Sequence, residues 1–313
     1  MKSNPVNSAG AAKRKTFHSK QEISPFILSA EDMKMNYLKE IISSFQSAEK
    51  SIHFDTHYLL KTKHLIRPEH RETLMLWLCA VCFKGLEAPY TIQFSQIAAL
   101  IDQYLARETA IIIKARNLQT IGIAAMVVLA DIENRSTSGI KDMVAKTLEQ
   151  LRGEYPKPVV HFWADRIRLV IPQVDKEDSY VLKVTSHEIY GEVAKFLELN
   201  LQSYYFGRMI LDSAIISSDM LRFKHSVIGF TCACLVSEFC SGLPVLQLMN
   251  SLKDSFDAQE IDICGRILSK LTEPGISYSL VEEKYYQKEF LSVARLYLIA
   301  PQDDIRKRSA SLQ

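Results

Sequence analysis

Residues 70–81 read HRETLMLWLCAV, which carries an arginine into a helix with almost no polar face. Leu74, Trp77, Leu78 and Val81 follow Arg71 at helical spacing, and Met75, Leu76, Cys79 and Cys82 fill much of the remaining circumference. A helix apolar nearly all round is a buried one. Glu72 is no partner, because side chains one residue apart do not face each other on a helix. A buried guanidinium stripped of its carboxylate costs about 3–5 kcal/mol. Any fold adopted by this chain must therefore bring a fixed acid to Arg71 from another segment.

Nearly every other segment after Glu31 also has helical period. EDMKMNYLKEIISSF (31–45) places Met33, Tyr37, Leu38, Ile41 and Phe45 on one stripe, and FSQIAALIDQYL (94–105) repeats it through Phe94, Ile97, Ile101 and Tyr104. IKDMVAKTLEQL (140–151) is amphipathic, and VVHFWADRIRLVI (159–171) is a helix that Pro172 ends. VTSHEIYGEVAKFLEL (184–199) starts afresh behind a Thr185 or Ser186 cap. Strand patterns are almost absent, so the expected class is all-α.

Two helices stand apart. IGIAAMVVLA from Ile121 and IGFTCACLVS from Ile228 are apolar on all sides and rich in small residues, which let neighbouring helices approach closely. Each suits a hub with amphipathic helices around it, third in a series of about five. A period near a hundred residues is too long for a solenoid and fits two tandem helical domains. The boundaries expected are a disordered tail at 1–28, a first domain with its preceding helix at 29–183, a second domain with a closing helix at 184–300, and a basic tail at 301–313.

Composition narrows the function. The formal net charge of +2 argues for no nucleic-acid partner, and the longest apolar run, 121–130, is half of what a membrane span needs. No apolar run marks the N-terminus as a secretory signal. The six cysteines lie within apolar helices and read as small buried hydrophobes in a reducing setting. No two of the eleven glycines are closer than ten residues, which excludes GxGxxG, P-loop and GxSxG motifs. His53 and His57 stand one helical turn apart without a third metal ligand. A binding protein is expected rather than an enzyme, with no cofactor and no metal.

Four stretches in order carry a resemblance. HRETLMLWL (70–78) is similar to the cyclin pattern M-R-A-I-L-V-D-W-L at Arg71, Leu74, Trp77 and Leu78, and LIDQYL (100–105) to Y-I-D-R-F-L. LQTIGIAAMVVLADIEN (118–134) is similar to L-Q-L-V-G-x-A-x-x-L-A-S-K-x-E-E, and LVEEKYYQKEFLSVA (280–294) to I-x-x-K-Y-x-x-x-x-F-x-x-V-S. The chain resembles the cyclins, most closely the mitotic A/B type, over roughly residues 31–300. The resemblance implies two tandem five-helix cyclin boxes with flanking N- and C-terminal helices. It also implies that Arg71 pairs with Asp102 as a structural ion pair.

For function, the resemblance implies a regulatory subunit that binds and activates a cyclin-dependent protein kinase in cell-cycle control, in the nucleus and cytoplasm. The kinase-binding positions are Asp131, Ile132, Glu133, Asp165 and Leu169. The family has a lysine where Asp131 stands and a glutamate where Asp165 aligns, so a plus–minus pair has become two acids. A substrate- or inhibitor-peptide patch maps to Leu74, Trp77, Leu118 and Gln119, while His70, Thr73 and Ala80 depart from its pattern. The alternative is a cyclin-fold adaptor that docks proteins without activating a kinase. General transcription factors of this fold would need a zinc ribbon or a basic face, and neither is present. Pairing of Asp131 and Glu133 with basic residues of this chain favours the adaptor. Free projection beside an apolar surface of Ile132 and Leu169 favours the kinase regulator.

Overall fold

The computed structural model describes residues 30–52, 58–61, 64–85, 91–133, 156–172, 184–241, 245–273 and 278–297. Among these the regular elements are helices, and Leu65 and Lys114 form an isolated bridge. Helix α1 (Ala30–Ile52) leads, followed by the single turn α2 (Tyr58–Lys61). The first box contains α3 (Pro68–Gly85), α4 (Thr91–Arg107), α5 (Leu118–Glu133) and α6 (Lys157–Val170). The second contains α7 (Ser186–Phe196), α8 (Leu201–Ile216), α9 (His225–Ser241), α10 (Leu246–Ser251) and α11 (Ala258–Lys270). Helices α12 (Ser279–Tyr285) and α13 (Val293–Tyr297) follow. The helix expected at 140–151, both expected tails and the His53/His57 pair lie outside the described residues.

The two hubs are α5 and α9. From Leu118 to Ala130 every residue except Gln119 and Val127 is buried, enclosed by α3, α4 and α6. Ala115–Ile132 is long and apolar enough to cross a bilayer, and this enclosure in the core accounts for its apolarity. Glycine sets how closely the neighbours lie. A Cβ on Gly122 would stand 3.2 Å from Leu74 and 3.3 Å from Trp77; one on Gly229 would stand 2.5 Å from the Ser186 carbonyl oxygen. The first helix of each box thus packs against a glycine near the start of its hub.

Local chemistry fixes the helix starts. The Thr185 hydroxyl, rather than Ser186, accepts from the Glu188 N–H and caps α7. Asn200 accepts from the Ser203 N–H at 2.9 Å to cap α8, and Asp257 caps α11.

Helix α1 belongs with the second box, packing on α7 and α9. Its inward stripe is Leu38, Ile42, Phe45 and Glu49, whereas Met33 and Tyr37, expected on that stripe, are 55% and 64% exposed. The reason is Glu49: buried, it accepts from the Ser226 N–H at 2.8 Å and from the Ser226 hydroxyl. It therefore satisfies an otherwise orphaned donor in the first turn of α9. Gln46 donates to the Ser255 carbonyl at 2.7 Å on the same side. The boxes meet where the first turn of α3 touches the end of α8. There the Ser218 N–H donates to Glu72 at 2.9 Å and the Ser218 hydroxyl to the Pro68 carbonyl at 3.3 Å.

Candidate protein-docking face

The acid required by Arg71 is Asp102 of α4. Arg71 Nε donates to Oδ1 at 2.8 Å and Nη2 to Oδ2 at 2.7 Å, a two-pronged pair almost sealed from solvent. The Tyr58 hydroxyl donates to the same Oδ1 at 2.7 Å, and Arg71 Nη1 donates to the Ile216 carbonyl at 3.0 Å, at the end of α8. Burial works against the guanidinium charge, but Asp102 outweighs it and Arg71 holds its proton even more firmly than usual. The pair is structural: it locks α3 to α4 and the first box to the second.

The candidate docking face is built on α6. Val160, Trp163, Ala164 and Ile167 point into the core. Arg166 fixes the rotation of the helix by donating through Nη2 to both oxygens of Glu108 at 2.8 and 2.7 Å, with Nε at 3.2 Å. Burial alone would raise the Glu108 pKa; Arg166 and the N–H groups of Ala110 and Ile111 more than offset it and keep the carboxylate charged. With Arg166 anchored and the apolar face inward, Val159, Phe162, Asp165 and Leu169 are turned outward. Phe162 is 49% and Leu169 67% exposed, a stripe of large apolar side chains on a charged surface.

At the end of α5, beside this stripe, stand Asp131 and Ile132. Asp131 is exposed but not alone: Arg168 of α6 reaches its carboxylate, while Arg168 Nη1 lies 3.5 Å from Asp165. The two acids at the family's charged positions are therefore bridged by one arginine. Ile132 is half-buried against the core, so the apolar part of the face is Phe162 and Leu169 more than Ile132. Glu133 ends α5, and its side chain lies outside the described residues.

Of the four peptide-patch positions, Leu74 and Leu118 are buried in the core. Trp77 and Gln119 are half-buried and reach the surface. The inward face of α3 runs through Arg71, Met75, Leu78 and Cys82, which leaves Trp77 at its edge. A peptide approaching this side meets two of the four residues without rearrangement of the core.

A second buried charge cluster joins Lys284 and Tyr285, the K-Y of the 280–294 stretch, to partners that the sequence did not assign to them. Asp212 of α8 accepts from Lys284 at 2.6 Å and the Tyr285 hydroxyl at 2.8 Å through Oδ2, and its Oδ1 lies 3.0 Å from His187 Nε2. It ties α12 to α7 and α8. Despite burial, Lys284 and His187 hold the Asp212 carboxyl well below its usual range, while burial lowers His187 to about 4. His187 is thus a neutral imidazole donating to a carboxylate. All six cysteines are buried, and burial pushes the Cys79, Cys234 and Cys264 thiols up to about 12. No cluster of metal-ligating side chains occurs among the described residues.

Comparison with known proteins adds a family match. Residues 40–159 match the model of the cyclin N-terminal domain. The X-ray structure of a viral cyclin from herpesvirus saimiri is similar with a TM-score of 0.51 at 14% sequence identity, over 80% of this chain and 97% of that one. A search of curated proteins gives no significant match. The likeness to the viral protein speaks to fold alone. Tandem boxes, glycine-backed hubs and the likeness to the viral structure give this chain the cyclin fold, and its residues 40–159 are similar to the cyclin N-terminal domain.

Proposed function

We propose that the chain is a cyclin-like regulatory subunit that binds and activates a cyclin-dependent protein kinase in cell-cycle control, most like the mitotic A/B type. The observation that carries this reading is the outward stripe of Phe162 and Leu169 on α6, held in place by Glu108 and Arg166. Burying each of these side chains against a partner contributes about 1.5–3 kcal/mol. A protein kinase is active only when its Lys–Glu pair is in place. A rigid apolar helix face packed against the kinase helix that carries the glutamate would hold it there.

The Asp131–Arg168 pair favours the second reading, an adaptor that docks proteins without activating a kinase, because it consumes inside the chain a charge the family spends on its partner. Its magnitude keeps the first reading ahead. Both residues are partly exposed, and such pairs contribute about 0.2–1 kcal/mol, so a basic partner residue displaces Arg168 from Asp131 at small cost. Leu74 and Leu118 are core residues, so capture of substrate or inhibitor peptides would rest on Trp77 and Gln119. Both readings place the protein in the nucleus and cytoplasm.

The test is a pull-down with the full chain from lysate of dividing cells, followed by mass spectrometry and a kinase assay on the eluate, with Asp131→Arg alongside. A co-purifying kinase whose activity depends on the chain supports the regulator, and weaker capture by Asp131→Arg would mark that acid as part of the interface. Partners without any kinase, from both baits, would establish the adaptor instead.

A further inference from the structure

A cavity of about 360 Å³ lies at the junction of α1, α4, α8 and α9, within the size range of small-ligand sites. Ala98, Met220, Phe223 and Ile228 give it a mostly apolar wall. The buried charges on that wall already have partners, Arg71 and Asp102 in each other and Glu49 in Ser226, while the other two charges of the lining, Lys50 and Lys224, are exposed. The polar group left over is neutral. Gln103 lines the cavity, is 1% exposed, and its Oε1 has no hydrogen-bond partner among the described residues. His225 also lines the cavity and carries a buried, unpartnered Nδ1, and burial lowers its pKa so that the ring stays neutral.

A buried amide oxygen left without a donor is costly, and a site built around one gains most from a ligand that supplies that donor. A side-chain amide presents a donor and an acceptor together, and either can face the ligand after a flip about its last torsion. The matching group is another carboxamide. An ionised ligand would lose its water to reach a wall whose buried charges already have partners. We propose that this cavity binds a small, neutral molecule with an apolar body and a carboxamide, held by pairing of that carboxamide with the side-chain amide of Gln103. Arg71, in the same wall, reaches across to α8, so the bound molecule would also brace the junction between the boxes.

The test is calorimetric titration of the full chain with three probes of one shape: biphenyl-4-carboxamide, biphenyl-4-carboxylate and biphenyl. The carboxamide should bind saturably and roughly tenfold more tightly than either relative. Gln103→Leu, which replaces the unpaired amide by an apolar group of similar size, should keep the fold and abolish that preference; Gln103→Met serves the same purpose if the first variant folds poorly. Ala98→Leu, which fills the cavity, should weaken all three probes. Absence of saturable carboxamide binding up to about 1 mM overturns the proposal. So does an unchanged preference in the Gln103 variants, or tighter binding of the carboxylate, which would point to the exposed Lys50 and Lys224 on the lining instead.

Discussion

Asp102 and Asp212 occupy the same place in the two boxes: each is the twelfth residue of the second helix, each is buried, and each ties that helix to the one before it. Their partners differ. Asp102 is held by Arg71 and Tyr58, Asp212 by His187, Lys284 and Tyr285. The duplication has kept the buried acid and changed the groups that neutralise it.

Removing one member of such a pair costs more than removing both. Asp102→Ala leaves a sealed guanidinium with only the Ile216 carbonyl and should lower stability by about 3–5 kcal/mol. Arg71→Met with Asp102→Leu should recover most of that loss, because two apolar side chains replace two matched charges. Urea titration of the three proteins checks this. A double variant as unstable as Asp102→Ala would show that the pair is not the coupled unit described.

The second cluster predicts a pH dependence. In the unfolded chain His187 takes a proton near its ordinary 6.5, but the folded imidazole refuses it until about 4. Between these values the unfolded state binds more protons, so stability falls as pH drops from about 6.5 to about 4, by on the order of 3 kcal/mol. Asp212, with its folded pKa depressed, adds its own loss at more acid pH, below the usual aspartate range. His187→Gln should flatten the first window and leave the second. Melting temperatures at half-unit pH steps resolve the two.

The hub glycines differ in how much room they leave. Gly229→Ala would put a methyl group 2.5 Å from the Ser186 carbonyl oxygen, which is backbone and moves only with α7. A cost of about 1–3 kcal/mol or more is expected. Gly122→Ala meets only side-chain carbons at 3.2–3.4 Å, so the roughly 1 kcal/mol gain in helix propensity should nearly cancel the crowding. Chemical denaturation of both variants tests the ranking, and equal losses would contradict it.

Periodicity made the helices legible, and small-residue content made α5 and α9 legible as hubs, because both signals are local. Arg71 announced a missing acid because a charge in an apolar helix is conspicuous. Lys284 and Asp212 were not paired in this way: Asp212 is as conspicuous in its apolar helix, but Lys284 sits among charged neighbours that pass for ordinary surface, and 72 residues separate the two. The stripe of α1 was misplaced for a related reason. Its inward face ends in Glu49, which registers as polar although it is buried as a cap for Ser226. The α5–α6 face was legible in part. Asp131, Asp165 and Leu169, which the resemblance named, are exposed on α5 and α6, whereas Phe162 and the anchoring of Arg166 by Glu108 depend on a contact spanning 58 residues.

The central claim is that the outward face of α6 docks a kinase. The most direct measurement compares kinase capture and kinase activity for the unmodified chain, for Phe162→Asp with Leu169→Asp, and for Leu201→Asp, an equally exposed leucine at the start of α8. The α6 variant should lose at least tenfold in affinity, as expected when two buried apolar contacts are replaced by charges, while Leu201→Asp binds and activates as the unmodified chain does. Undiminished capture by the α6 variant, with its helical content intact, would contradict the account.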